Sequence, residues 1–132
     1  MVEKKIEFIL LLVFWIINLT NLKKIFISSD HAGFKLKEAI KSYLSNKKLS
    51  FTDMGPYNDS RVDYPDFAHK VARKVKLNKN NIGILVCGSG MGMNIAANRH
   101  NNIRAAQCFN LKSTKLSRLH NDANIITLGS ML

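Results

Sequence analysis

The sequence predicts an α/β fold, a Rossmann-like three-layer sandwich with a five-stranded parallel sheet and helices on both faces. Short apolar runs of strand length alternate with stretches whose apolar residues recur every three or four positions. The run Ile82-Gly83-Ile84-Leu85-Val86 is apolar without alternation, which suits a strand buried on both faces of a parallel sheet. It ends in Cys87 and the turn Gly88-Ser89-Gly90-Met91-Gly92, after which a helical pattern opens. Strand, turn and helix in that order are the unit from which such sheets are built, with right-handed crossovers between parallel strands.

Taken in order, the first strand is Lys24 to Ser28 and its turn is Ser29-Asp30-His31-Ala32-Gly33. The next helix carries Leu36, Ala39, Ile40, Tyr43 and Leu44 on one face, with Lys35, Lys37 and Lys41 expected outside it. A short strand over Ser50 to Met54 leads into Gly55-Pro56-Tyr57-Asn58-Asp59-Ser60, dense in turn formers. Asp63 can cap a second helix with Pro65 in its first turn and Phe67, Ala68, Val71, Ala72 and Val75 as its buried stripe. After the central strand come a helix over Met91 to Arg99, a strand over Ile103 to Cys108, a helix over Leu111 to Leu119 and a fifth strand over Ile125 to Leu128.

At 132 residues and 46% hydrophobic composition, the chain has material for one compact domain. The two cysteines lie far apart after apolar runs, so they read as reduced thiols in a cytosolic protein. His31, His69, His100 and His120 are scattered and form no zinc spacing with them. The net charge of +11 favours anionic partners in general, but the lysines spread over helix faces instead of gathering in one tract. A nucleic-acid module is disfavoured by the lack of a helix-turn-helix, finger or aromatic strand motif. Residues 1–22 differ from the rest: Glu3-Lys4-Lys5 precede ten apolar residues, Phe8 to Ile17. No small-x-small cleavage pattern follows, and ten residues are short for a bilayer, so an extension that the fold does not need is favoured over an anchor or an uncleaved leader.

In parallel sheets ligands bind beyond the carboxyl ends of strands. That rule gathers Asp30, His31 and the stretch Cys87 to Gly92 on one rim. A thiol at a strand end, before a helix start, sits where the thiolate is favoured. Backbone N–H groups in the glycine turn can cradle a phosphate or an oxyanion formed during reaction. Taken singly, Cys87 could be a buried small hydrophobe, Asp30 a cap and His120 a surface residue. Cys108 is expected in the core, and His69 and His100 on solvated surface.

Six blocks occur in one order: Ser29-Asp30-His31-Ala32-Gly33, Asp63-Tyr64-Pro65, Cys87-Gly88-Ser89-Gly90-Met91-Gly92, Ile95-Ala96-Ala97-Asn98, Ile103-Arg104-Ala105-Ala106, and His120-Asn121-Asp122-Ala123-Asn124. Together they resemble the ribose-5-phosphate isomerase B family, which includes galactose-6-phosphate isomerase subunits. The resemblance runs from Lys23 to about Ser130 and implies one isomerase domain over 23–132. It implies interconversion of ribose 5-phosphate and ribulose 5-phosphate in the cytoplasm, without a metal or other cofactor, by a homodimer with shared active sites. By position, Cys87 is the proton-transfer base and His120 assists ring opening. Asp30 and His31 bind the sugar phosphate, Tyr64 lines the sugar pocket and Asn121 fixes a hydroxyl. Gly88, Ser89, Gly90, Met91 and Gly92 hold the enediolate oxygens. Family members continue after the fifth strand with an arginine, a long helix and further arginines that grip the phosphate, whereas here Gly129-Ser130 is followed by Met131 and Leu132. The expectation is therefore a complete catalytic centre with most of the phosphate clamp missing, hence weak isomerase activity or mere sugar-phosphate binding.

Overall fold

The computed structural model describes residues 24–132; the apolar stretch read at 1–22 lies outside them. Nine elements alternate: β1 (Lys24–Ser29), α1 (Phe34–Asn46), β2 (Phe51–Asp53), α2 (Tyr64–Val75), β3 (Asn81–Cys87), α3 (Met91–Ala97), β4 (Ala105–Gln107), α4 (Leu111–Asn121) and β5 (Ile125–Gly129). The sheet is parallel throughout, in the order β2-β1-β3-β5-β4. After β1 the chain moves outward to β2, then returns past β1 to β3. The strand order thus reverses between β1 and β3, where doubly wound sheets open a crevice beyond their carboxyl ends.

Each strand feeds two cores because successive side chains point to opposite faces. On one face Ile25, Ile27, Ile82, Ile84, Val86, Ile126 and Leu128 meet Ile40 and Leu44 of α1, with Leu111 of α4 packed against them. On the other, Phe26, Leu85, Cys87 and Ile125 meet Ala68, Val71, Ala72 and Val75 of α2 and Met93, Ala96 and Ala97 of α3. The alanines let these two helices lie close to the sheet. Burying each large aliphatic side chain contributes on the order of 1.5–3 kcal/mol, which is what holds these short strands in register.

Several local expectations need correction. Lys37 is fully buried instead of solvated, because the face that carries Ile40 and Leu44 carries it too. Its ammonium donates to Asp53 Oδ1 at 2.8 Å and Oδ2 at 3.1 Å and to the Pro56 carbonyl at 2.5 Å, and lies 5.3 Å from the Phe34 ring centre. Lys41 reaches the same carboxylate at 2.7 Å. Burial alone would push the Asp53 carboxyl up, but the hydrogen bonds from both lysines and from Gly55 outweigh it and hold it below the ordinary carboxylate range.

Asp63 does stand at the start of α2, with Pro65 in the first turn, yet its side chain makes no capping bond. The helix after Met91 stops at Ala97 and not Arg99. Asn98 ends it by turning its amide to the open edge of β4, donating to the Ala105 carbonyl at 2.9 Å and accepting from the Ala105 N–H at 2.8 Å. β4 itself is three residues, not the six expected from Ile103 to Cys108.

Candidate active site

The crevice between β1 and β3 is lined by the two turns that the sequence singled out. The first is closed by Asp30, whose Oδ1 accepts from the Gly33 N–H at 2.9 Å. Gly33 is required there, since a Cβ would stand 2.4 Å from the Val86 carbonyl oxygen. His31 is exposed at the rim, its Nδ1 3.2 Å from the Val62 carbonyl and 3.3 Å from the Val62 N–H. The turn after β1 is therefore tied to the segment that delivers Tyr64.

The second turn follows β3. Cys87 is 4% exposed, and its Sγ accepts a hydrogen bond from the Gly90 N–H at 3.1 Å. Gly90 adopts φ +80°, the left-handed region that a side chain would strain, and so bends the chain back over the sulfur. Ser89 Oγ accepts from the Met91 N–H at 3.1 Å. Gly92 leaves room for Tyr64: a Cβ at Gly92 would stand 2.7 Å from that ring. The ring thus packs directly against the glycine turn.

The end of the chain folds over the same turn. Ser130 N–H donates to the Cys87 carbonyl at 2.8 Å and Met131 N–H to the Gly88 carbonyl at 2.9 Å, while Ser130 Oγ donates to the Ala32 carbonyl at 2.9 Å. Carbonyls of both turns are thereby engaged, beside the sulfur and the backbone N–H groups of the glycine turn. Such a site can take a proton from carbon and stabilise the oxyanion that results.

Asp30, His31, Tyr64, Cys87 and the stretch Gly88 to Gly92 are brought together within one chain. His120 and Asn121 are not. They occupy the last turn of α4, not a loop, and lie beside the start of β4, where Arg104 Nε donates to the Asn121 carbonyl. An eleven-residue helix spans about 16 Å, which separates them from the rim by roughly the depth of the sheet.

Known proteins share this sequence pattern and fold. The family model described as Ribose/Galactose Isomerase matches residues 25–132. The chain belongs to that family. It is 48% identical over 106 residues to a putative sugar phosphate isomerase of Rickettsia bellii, covering 80% of this chain and 74% of that protein. It is 42% identical over 109 residues to ribose-5-phosphate isomerase B of Escherichia coli, covering 83% and 73%. The crystal structure of a ribose 5-phosphate isomerase from Thermotoga maritima superposes with a TM-score of 0.81 at 49% identity, over 83% of this chain and 76% of that one. Ribose-5-phosphate isomerase B of Mycoplasma genitalium, solved with bound ribulose-5-phosphate, gives 0.78 at 44% identity over 82% and 72%. The shared architecture is the five-stranded parallel α/β fold expected from the sequence, and its members are isomerases.

Two features of this family member escaped the sequence reading. His69 and His100 are not solvated singly: Nδ1 of one lies 2.7 Å from Nε2 of the other, on α2 and on the turn after α3. Burial, then the charges of His69, Lys76 and Arg73, hold His100 below the ordinary histidine value. Gln107, at the end of β4, donates from Nε2 to the Ser89 carbonyl at 2.6 Å. Neither has a sequence signature, because each pairs residues from elements that meet only in the fold. Among the described residues no helix is long and apolar enough to cross a membrane.

Proposed function

We propose that this protein interconverts ribose 5-phosphate and ribulose 5-phosphate, with Cys87 as the base. The observation that carries the reading is the buried Cys87 sulfur held by the Gly90 N–H inside a glycine turn, on a chain whose relatives are named for this isomerisation. In the open-chain sugar the thiolate takes the proton from C2, the electrons pass into a C1–C2 double bond, and the C1 oxygen becomes an enediolate oxygen. The hydroxyl proton on O2 passes to O1, and return of the first proton to C1 then leaves the carbonyl on C2. Backbone N–H groups from Gly88 to Gly92 stabilise the enediolate, a contribution that often amounts to a few kcal/mol in the transition state.

Asp30 and His31 bind the sugar phosphate from the facing turn, and Tyr64 walls the sugar against Gly92. His120 assists ring opening and Asn121 fixes a hydroxyl from a second copy of the chain, in a shared site, since in their own chain they lie at the other edge of the sheet. The test is conversion of ribose 5-phosphate by the purified protein and by Cys87→Ser, with galactose 6-phosphate as a comparison substrate. Turnover of the pentose phosphate that falls at least ~10²-fold in the variant supports the reading. Equal rates in parent and variant remove Cys87 from it, and preference for the hexose phosphate moves the chain to the galactose branch. Mixing inactive Cys87→Ser and His120→Ala proteins restores activity if the site is shared, and leaves none if each chain works alone.

A further inference from the structure

Gln107 has no role assigned so far, yet its amide is joined to the Cys87 sulfur through a single peptide unit. Its Nε2 donates to the Ser89 carbonyl at 2.6 Å, and the N–H at the other side of that same peptide, on Gly90, donates to Cys87 Sγ at 3.1 Å. The Ser89–Gly90 bond is trans, so its C=O and N–H point in opposite directions and turn as one rigid plate. A carbonyl can only accept, which fixes the amide nitrogen of Gln107 as the group that faces it. The glycine at position 90 makes rotation of this plate cheap, because many backbone conformations are open to it. Gln107 is anchored by β4, where it pairs in register with the buried Thr127 of β5.

We propose that Gln107 is a positioning residue for the thiolate: by holding the Ser89 carbonyl it keeps the Gly90 N–H aimed at Cys87 Sγ. A hydrogen bond to the carbonyl also polarises the amide, strengthening its N–H as a donor to negative sulfur. Removing the side-chain donor frees the plate, and the sulfur loses part of the interaction that favours its charged form. The proposal rests on the reading of Cys87 as the base, but its first readout needs no turnover.

The test compares the parent with Gln107→Met, which keeps the length and drops the donor, and with Gln107→Glu, which keeps the shape and puts an acceptor against the carbonyl. The rate of Cys87 alkylation by iodoacetamide is followed across pH by peptide mass spectrometry. The midpoint of that profile is expected to move up by about half a pH unit or more in Gln107→Met and further in Gln107→Glu, the size anticipated for a lost donor. The acid limb of kcat/KM should move with it, so that the deficit is several-fold near pH 6.5 and fades in alkali. Folded variants whose alkylation midpoint matches the parent overturn the proposal. A shifted midpoint in a protein that isomerises nothing upholds the role of Gln107 and defeats the functional reading instead.

Discussion

The two cysteines occupy equivalent places in the fold, one at the end of β3 and one just beyond β4, and both are almost fully buried at 4% and 5% exposure. Their surroundings differ. Cys87 lies on the α2/α3 face and its sulfur accepts from a backbone N–H, whereas Cys108 lies on the opposite face with its thiol directed at the Ala106 carbonyl at 3.5 Å. Burial pushes the Cys108 thiol up, and the neighbouring Thr114 and Ser117 hydroxyls only partly oppose it. Depth therefore does not distinguish the two thiols. The nearest backbone group does: Cys87 Sγ faces a donor and Cys108 Sγ an acceptor.

Exchanging each sulfur for a serine hydroxyl is the largest way to sharpen that contrast. Cys87→Ser is expected to lower kcat/KM for ribose 5-phosphate at least ~10²-fold, while Cys108→Ser stays within about threefold, as measured by steady-state kinetics. Comparable losses in both would break the contrast. A second expectation concerns the buried ammonium of Lys37 and the segment it holds after β2. Lys37→Met leaves Asp53 with Lys41 and leaves the Pro56 carbonyl without its donor, so it should cost about 2–3 kcal/mol in urea denaturation. If Lys37→Met costs nothing, the ammonium does not organise the 53–57 segment.

Cys108→Ala removes one buried sulfur from the apolar face and should lower stability by about 1–2 kcal/mol with no effect on the pH profile of turnover. The smallest effect belongs to the histidine pair. His100 is held below its unfolded value of about 6.5, so the unfolded chain takes up protons first, and stability is lost as pH falls from that value through the folded one. His100→Asn should flatten that part of a plot of thermal midpoint against pH, and an unchanged slope would show that another group sets it.

The strand and turn around Cys87 are largely legible in the sequence, and the rest is not. An apolar run ending in Cys87 and three alternating glycines announces a strand and a close turn, and Gly90 at φ +80° and Gly92 against the Tyr64 ring are the positions that require glycine. Lys37 was misplaced because a charge on a helix was taken as a sign of solvent. Its spacing from Ile40 and Leu44 already put it on the buried face, and what allows it to stay charged there is Asp53, supplied by another strand. His69 with His100, and Gln107 with Ser89, depend on how elements far apart in sequence meet. Periodicity carries no record of such meetings. The helix expected over Leu111 to Leu119 stops short of His120, and that the last turn of α4, which carries His120 and Asn121, lies at the far end of the sheet follows only from the topology.

One labelling experiment tests both whether Cys87 is the reactive thiol and whether it lies in a sugar-phosphate site. The protein is treated with iodoacetamide at pH 7, with and without ribose 5-phosphate, and the two cysteine peptides are quantified. Labelling of Cys87 at least ~10-fold faster than Cys108, and slowed by ribose 5-phosphate at Cys87 alone, is the expected result. Equal labelling of the two thiols, or labelling of Cys87 that ribose 5-phosphate leaves unchanged, would contradict it.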